Sequence, residues 1–452
     1  MGSWSVGIIG GGPGGLITAY CLQKHADLPY RATIFEASGR LGGKILTGRF
    51  ACAPVTFEAG AAELYDYSLV GPDPLRELIA ELGLATTPMD GSKVIMSHRR
   101  PVTGNVAWGP SASHVLDEFD LRAREWMSPR EFYNSDWKEG DGDPLARKSF
   151  HSVLARIPDE NVRRYLQAMV HSDLATEPDQ TNAVYGLQNY LMNDSAYMRL
   201  YTIEGGIERL PQELASRIEA EVLLHQPVLR VEKRADGLLR VVSRRGDDLV
   251  ERDFDFVVVA LPNYLLSTIE WGGRVLTDGM HRHHVHYNYP AHYLRVTILF
   301  EQPFWRRHLT DSYFMLDSFG GCCVYDESSR TGSDMYGVLG WLLGGEPAQS
   351  MSGLADEELI AMMLESLPPF LQQGTEFFVE GKVHRWVGAV NGLPGGYPPR
   401  NMDTRHLPEP IEHPNLLVVG DYLFDSTLNG VLDSADFVAE WLAGEMGQQS
   451  RR

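Results

Sequence analysis

A glycine-rich turn directly after an apolar run near the beginning of the chain constrains the fold more than any other feature. Residues 5–9 have the pattern of a buried strand, and the apolar residues after the turn have a helical pattern. Gly10, Gly12 and Gly15 lie between them as G-x-G-x-x-G. Gly10 permits the tight turn, Gly12 lets a pyrophosphate approach the backbone, and Gly15 lets helix pack closely on strand. The pattern predicts a nucleotide-binding unit with the helix N-terminus directed at phosphates.

An acidic residue follows the second predicted strand. Residues 31–35 are apolar or β-branched after Arg31, and they end at Glu36. The distance along the chain from the glycine turn suits the acid that binds a ribose hydroxyl in dinucleotide folds, so Glu36 is the candidate ribose ligand. The glycine pattern alone serves NAD, NADP and FAD equally, and a tight turn that binds nothing also remains open.

A second glycine turn narrows these alternatives. Residues 36–47 read E-A-S-G-R-L-G-G-K-I-L-T, which resembles the E-x-x-x-R-x-G-G-R-x-x-T stretch of the flavin-dependent amine oxidase superfamily. That superfamily includes monoamine and polyamine oxidases, L-amino-acid oxidases, protoporphyrinogen oxidase and carotenoid desaturases. The resemblance implies that Arg40, Gly42, Gly43 and Lys44 lie at FAD. Lys44 stands where the family usually has arginine, so the positive charge is kept but the bidentate hydrogen bonding of a guanidinium is lost.

Further landmarks of the same family follow in the expected order. Residues 57–63 resemble the family's acid-x-Gly stretch, which implies that Gly60 and Ala61 run along the isoalloxazine ring. Val228 begins a strand where the family places backbone against adenine. Residues 256–262 form a β-branched run that is typical of a strand buried on both faces.

The last landmark combines a strand end with a helix start. Residues 415–421 form an apolar strand that ends in Gly420 and Asp421, and Gly430 and Val431 then open an amphipathic helix. The resemblance implies that Asp421 binds the ribityl or phosphate end of the flavin. It also implies that the helix N-terminus faces N1 and O2 of the pyrimidine, where its partial positive charge would stabilise reduced flavin by about 1 kcal/mol.

The resemblance implies an α/β fold in which a Rossmann-like FAD-binding domain of the GR2 type is interleaved with a mixed α+β substrate domain. A chain of 452 residues is long enough for two such domains. We expect the FAD-binding domain to comprise residues 1–90, 202–289 and 392–452. The substrate domain would comprise residues 91–201 and 290–391, with helices between 143 and 192 and an alternating strand over 293–300.

Composition excludes several classes of protein. The formal net charge of −20 argues against nucleic acid and favours, weakly, a cationic ligand. The four cysteines lack metal spacing, so we expect free thiols in a reducing compartment. No signal-peptide pattern precedes the first strand and no apolar stretch is long enough to span a bilayer, so we expect a cytoplasmic location without membrane attachment. The histidine-rich stretch 281–292 lacks interleaved acidic or thiol ligands, so we expect no metal site. His292 is the member of this stretch nearest to the predicted active site.

The departures from the family lie at the catalytic positions. Residues 293–305 resemble the strand that carries, in amine oxidases, a lysine that holds water near flavin N5, and Arg295 takes its place. Arginine can hold a water or grip a substrate carboxylate. A surface arginine on an alternating strand is the third alternative.

An aromatic cage is the other catalytic feature that the family implies. Residues 386–397 resemble the stretch in which Trp386 precedes a glycine turn and Tyr397 forms one wall of the cage. The second wall is Thr427 here, with Tyr422 or Phe424 as substitutes. Gly396 occupies the position of the cysteine that bonds flavin covalently in some members, so FAD should bind non-covalently.

The sequence therefore predicts an FAD-dependent oxidoreductase that transfers a hydride from a C–N bond of an amine or amino acid to flavin N5. A desaturase acting on a C–C bond of a natural-product intermediate stays open, as does an FAD-binding protein without redox turnover. Molecular oxygen as electron acceptor and a homodimer also stay open.

Overall fold

The computed structural model describes residues 3–91, 94–96, 110–134, 144–330 and 335–450. Its strands are β1 (Trp4–Ile9), β2 (Tyr30–Phe35), β3 (Thr47–Arg49), β4 (Thr56–Glu58), β5 (Leu64–Asp66), β6 (Thr86–Met89), β7 (Val94–Ile95), β8 (Arg199–Ile203), β9 (Ala220–Leu223), β10 (Val228–Lys233), β11 (Leu239–Arg245), β12 (Asp248–Phe254), β13 (Phe256–Val259), β14 (Glu270–Trp271), β15 (Pro290–Phe300), β16 (Tyr313–Leu316), β17 (Cys322–Asp326), β18 (Gly337–Gly344), β19 (Phe378–Asn391) and β20 (Leu416–Val418). Its α-helices are α1 (Pro13–His25), α2 (Pro74–Glu81), α3 (Pro110–Trp126), α4 (Pro129–Asn134), α5 (Phe150–Leu154), α6 (Glu160–Leu174), α7 (Ala183–Leu191), α8 (Arg209–Arg217), α9 (Arg274–His286), α10 (Gly345–Met351), α11 (Asp356–Ser366), α12 (Met402–Arg405) and α13 (Leu428–Gln449).

A parallel five-stranded sheet in the order β20-β13-β1-β2-β9 organises the nucleotide-binding half. Its central strands are the apolar runs of the sequence, and every residue of β13 is buried. Helices α1 and α13 pack together on this sheet, and their side chains share one apolar core. The Rossmann-like half of the predicted α/β fold is thereby confirmed.

Steric limits explain the glycines of the first turn. Gly10 has φ of +112°, and a Cβ there would lie 2.5 Å from the carbonyl oxygen of Ala260. A Cβ on Gly15 would lie 2.0 Å from the carbonyl oxygen of Gly10. A Cβ on Gly12 would meet only the Cα of Gly43, at 3.7 Å. Gly10 and Gly15 are therefore needed by the fold, whereas Gly12 faces open space.

A six-stranded, mainly antiparallel sheet in the order β19-β15-β18-β17-β16-β7 organises the other half. Helix α6 contacts β16, β17 and β18, and with α3, α5 and α7 it builds a second apolar core. Strand β15 is not alternating as predicted, because its last seven residues are all buried. Of the three alternatives for Arg295, a surface position is excluded, since Arg295 is 1% exposed.

The two halves meet along β19 and the loops beside it. The Trp386 indole donates a hydrogen bond to the carbonyl of Ala59 at 2.7 Å. The Lys44 ammonium donates to the carbonyl of Ala389 at 2.8 Å. The five domain segments given above stay a prediction in their exact limits. Within the described ranges, no helix combines the length and apolar character that crossing a bilayer requires.

Candidate active site

A cavity of about 350 Å³ runs from the first glycine turn to the end of β20, and we refer to it as the dinucleotide cavity. It is lined by nine of the residues predicted to bind the cofactor: Gly10, Gly12, Glu36, Gly43, Lys44, Val228, Gly420, Asp421 and Val431. The structure thus brings together residues from three distant parts of the chain, as a dinucleotide site of this fold requires.

Glu36 is held at the mouth of the first turn. Its Oε2 accepts a hydrogen bond from the backbone N–H of Gly11 at 2.9 Å, and its Oε1 accepts one from Ser38 at 2.8 Å. A carboxylate has lone pairs beyond these two bonds. Glu36 is therefore fixed in orientation and still able to accept hydrogen bonds from a ribose.

Arg40 and Gly42 shape the second glycine turn and do not line the dinucleotide cavity. The Arg40 guanidinium donates to the carbonyls of Leu41 at 3.2 Å and Ile45 at 3.1 Å, and to that of Gly43 at 2.6 Å. The N–H of Gly42 donates to the carbonyl of Gly11 at 2.9 Å. These bonds hold the second turn against the first, so the structure assigns both residues a supporting place.

Lys44 and Asp421 form an ion pair in which Nζ lies 2.5 Å from Oδ2. Both residues line the dinucleotide cavity and a second cavity of about 160 Å³, which we refer to as the ring cavity. The two cavities also share Pro13, Trp386 and Val431. They therefore form one continuous groove.

Small residues form the floor of the ring cavity. Gly60, Ala61 and Ala62 line it, and a Cβ on Gly60 would lie 1.9 Å from the carbonyl oxygen of Lys44. The first turn of α13 closes one side, capped by the Thr427 hydroxyl, which accepts from the N–H of Gly430 at 3.1 Å. Gly430 itself lines a different cavity, although its predicted neighbour Val431 lines the ring cavity.

Arg295 lies on the wall of the ring cavity, where it belongs to a buried cluster of charges. One Nη atom pairs with Glu327, and the guanidinium lies 4.9 Å from the centroid of the Tyr325 ring. Arg330 approaches the other oxygen of Glu327 at 3.3 Å and Glu58 at 4.0 Å. The charge of Arg295 is therefore already matched by a carboxylate.

Two atoms of Arg295 are not matched. Its Nε and Nη1 are buried and have no hydrogen-bond partner among the described residues. A buried donor without a partner costs about 1–3 kcal/mol. These donors are accordingly available to a polar group placed in the ring cavity.

The aromatic residues around the ring cavity differ in part from those predicted. Trp386 lines it, together with Tyr65 and Tyr293, which the sequence analysis missed. Burial raises the pKa of both tyrosines well above the ordinary value, so they keep their protons across the neutral range. Tyr293 precedes Arg295 by two positions on β15, and the two-residue period of a strand could have indicated that they share a face.

Tyr397 lies elsewhere among the described residues. Its hydroxyl accepts a hydrogen bond from Arg147 Nε at 3.2 Å, its ring packs on the helical core, and it lines neither cavity. Gly395 and Gly396, with φ of +85° and +67°, form a turn directly before it. Tyr422 is buried in another core, and Phe424 lines another cavity.

A third space, of about 20 Å³, adjoins the ring cavity at Glu63 and Tyr65, and we refer to it as the side cavity. Its other acid is Asp173, near the end of α6. Burial and the nearby charge of Glu63 raise the pKa of Asp173 to about 8. Burial likewise raises the pKa of Glu63. Neither acid could be placed from the sequence, because α6 and the 57–63 stretch meet only in the folded chain.

Within the described ranges, no group of three or more histidine, cysteine or acidic side chains could hold a metal ion. Cys21, Cys52, Cys322 and Cys323 are free. The Nδ1 of His292 accepts a hydrogen bond from the N–H of Gly388 at 3.0 Å, and His292 lines neither cavity of the groove.

Comparison with known proteins agrees with this geometry. The family model "Flavin containing amine oxidoreductase" matches residues 13–442. The flavin-dependent L-tryptophan oxidase RebO of Lentzea aerocolonigenes is 25% identical over 350 residues, which are 71% of this chain and 70% of that protein.

Two solved structures have the same fold over almost the whole chain. A putrescine oxidase bound to putrescine superposes with a TM-score of 0.73 at 22% identity, over 98% of this chain and 99% of that one. Cyclohexylamine oxidase from Brevibacterium oxydans superposes with a TM-score of 0.72 at 18% identity, over 99% and 100%.

Proposed function

Because the chain belongs to the flavin-containing amine oxidoreductase family, we propose that it oxidises the C–N bond of an amine with non-covalently bound FAD. FAD supplies the two-electron acceptor, which takes a hydride from the carbon next to nitrogen. The nitrogen loses a proton, and the substrate becomes an imine that water hydrolyses to a carbonyl compound and ammonia.

The groove supports FAD as the cofactor. The open space in front of Gly12 suits a pyrophosphate, since a Cβ there would point into the cavity and touch only Gly43. Glu36 would bind the ribose, and Val228 would lie at the adenine. Gly60 and Ala61 leave room for a flat ring, and the unpartnered donors of Arg295 offer hydrogen bonds to its edge or to a water. None of the four cysteines is among the described residues that line the groove, which favours non-covalent binding.

The pairing of Arg295 with Glu327 is the observation that favours an amine over an amino acid as the substrate. A substrate carboxylate would need an uncompensated cation, whereas Glu327 and Glu58 lie against the two arginines of this cluster, Arg295 and Arg330. It would also approach Glu63, which lines the ring cavity. An amine meets the opposite field, because carboxylates favour an ammonium group. The similarity to a tryptophan oxidase keeps L-tryptophan as the amino acid to be tested.

The residues around the ring cavity would position the substrate, accept its proton and bind a water or the flavin edge. Tyr65, Tyr293 and Trp386 would hold the carbon chain of the substrate in one orientation and exclude water. Glu63 lines the cavity with a raised pKa, so it would accept the proton that the ammonium must lose before hydride transfer. Arg295 would hold a water or the flavin edge, as the lysine does in relatives.

Anaerobic mixing of the FAD-loaded protein with a panel of amines and with L-tryptophan tests this proposal. An amine should bleach the flavin absorbance. If the enzyme is an oxidase, oxygen added afterwards should restore the absorbance and release hydrogen peroxide. If it is a dehydrogenase, only an artificial electron acceptor should restore the absorbance. Bleaching by L-tryptophan and by no amine would contradict the proposal. Retained FAD without bleaching by any amine would favour the desaturase or the non-redox alternative.

A further inference from the structure

We propose that the substrate carries a second cationic group, and that Asp173 binds this group in the side cavity while the reacting amine lies in the ring cavity. The substrate class is therefore a diamine or a longer polyamine. This inference rests on the proposed amine oxidation and adds the recognition of the far end of the substrate.

The two cavities are adjacent. Glu63 and Tyr65 line both of them and form the boundary that the substrate chain would cross. The Oε2 atom of Glu63 is buried and has no hydrogen-bond partner among the described residues. A buried carboxylate oxygen without a donor at the junction indicates that a donor arrives with the ligand.

Asp173 has no cationic partner among the described residues. Asn193 donates a hydrogen bond to its carboxylate, and the other charge that acts on it is that of Glu63. Glu327, by contrast, is paired with two arginines. Burying a carboxylate is costly unless a cation accompanies it. A ligand ammonium would supply the charge that the protein does not.

The remaining walls suit an alkyl chain that ends in a cation. The side cavity is lined by flexible apolar side chains, Met192, Met198, Leu200 and Met315, and by Tyr313 and Tyr325. Methionines adapt to chains of different shape, and tyrosine rings attract cations through their faces. No lysine or arginine is among the lining residues that the structure describes.

A neighbouring cavity extends the same charge pattern. It has a volume of about 410 Å³ and shares Asn429 with the ring cavity. Its charged lining consists of Asp425, Asp433, Asp436 and Glu440 against Arg405. An excess of acidic groups raises the local concentration of cations, and most strongly that of polycations.

Putrescine and n-butylamine, which differ only in the second ammonium group, test the proposal with the FAD-loaded enzyme. Anaerobic reduction should give wild type an apparent dissociation constant at least about tenfold lower for putrescine. Asp173→Asn should raise that constant by about 10- to 100-fold and leave the constant for n-butylamine unchanged. Asp179→Asn, an exposed acid just beyond α6, should behave as wild type for both amines. Equal effects of Asp173→Asn on the two amines would overturn the proposal.

Asp173→Glu provides a second measurement that a purely structural role would not affect. It keeps the charge and moves it towards the ring cavity by one methylene, so the preferred substrate should shift from putrescine towards diaminopropane. An unchanged preference would overturn the proposal even if Asp173→Asn did not fold. If no amine bleached the flavin, the proposed function would fail, and calorimetric binding of putrescine to wild type and the two variants would still decide the role of Asp173.

Discussion

Arg295 and Glu327 form an ion pair in which each side chain is only 1% exposed. The pair joins β15 to the turn after β17, and it lies on the wall of the cavity that would hold the flavin ring. A buried charge is tolerated when its partner is present and becomes very costly when the partner is removed. The ion pair therefore affects both the stability of the fold and the electrostatics of the cavity wall.

Removal of the Glu327 charge should destabilise the fold strongly. Glu327→Gln leaves Arg295 and Arg330 without their shared carboxylate, so the free energy of unfolding should fall by about 3–5 kcal/mol. Chemical denaturation with FAD-free protein measures this. Glu81→Gln, which breaks an exposed pair with Lys24, is the control and should cost less than about 1 kcal/mol. Equally small losses of unfolding free energy in both variants would mean that the buried pair contributes no more to stability than the exposed pair.

Arg295→Lys separates two roles of the side chain. Lysine keeps the charge beside Glu327 but lacks the planar array of donors, so contacts with the flavin edge or a bound water should change. We expect reoxidation of the reduced flavin to change while the dissociation constant for an amine does not, as followed by rapid mixing of each half-reaction. Weaker binding of L-tryptophan with normal reoxidation would instead assign Arg295 to a substrate carboxylate.

Gly12→Ala should separate cofactor binding from folding. The new Cβ meets only Gly43 Cα at 3.7 Å, and the φ of Gly12 is −76°, so the FAD-free protein should lose less than about 1 kcal/mol of stability. Its affinity for FAD should fall at least about tenfold, because the Cβ occupies the approach to the pyrophosphate. Fluorescence titration with FAD measures the affinity. Gly15→Ala, with a contact of 2.0 Å, should fail to fold.

The affinity for a diamine should depend on pH through Asp173. Burial raises the pKa of Asp173 to about 8, so below that pH the free acid is neutral and attracts an ammonium group weakly. Alkyl ammonium groups stay charged to about pH 10. The Michaelis constant for putrescine should therefore fall as the pH rises through about 8.

A difference between variants isolates this effect from other titrations. The groups that face Asp173 across the side cavity or adjoin it are Glu63, Tyr65, Tyr293, Tyr313, Cys323 and Tyr325, and burial raises the pKa of each. Burial also raises the pKa of Glu58 to about 7. Asp173→Asn keeps these groups and should lose the pH dependence near 8. A similar profile in both proteins would assign the dependence to another group.

Local motifs could be predicted from the sequence, whereas contacts between distant segments could not. The glycines at 10 and 15 could be predicted because backbone sterics fix their identity and spacing, and the glycine at 12 because a pyrophosphate approaches the backbone there. Glu327 and Asp173 carry no such signal, since each acquires its role only through partners on other elements. The position of Arg295 was predicted correctly within its strand, but its pairing depends on a turn 32 residues further along the chain. Tyr397 was placed by analogy, whereas its ring packs on the helical core and its hydroxyl bonds to Arg147, contacts that no local motif indicates.

The order of strands in the parallel sheet has a consequence for synthesis. Strand β1 lies between β2, made soon afterwards, and β13, which leaves the ribosome about 250 residues later, and β20 completes the edge near the end of the chain. The ion pair of Lys44 likewise cannot form until Asp421, 377 residues further along the chain, has been synthesised. A nascent chain therefore cannot close the groove, and the cofactor must be acquired after translation is nearly complete. A premature stop before β20 would remove an integral part of the site, including Asp421, so a chain truncated there should yield a colourless product.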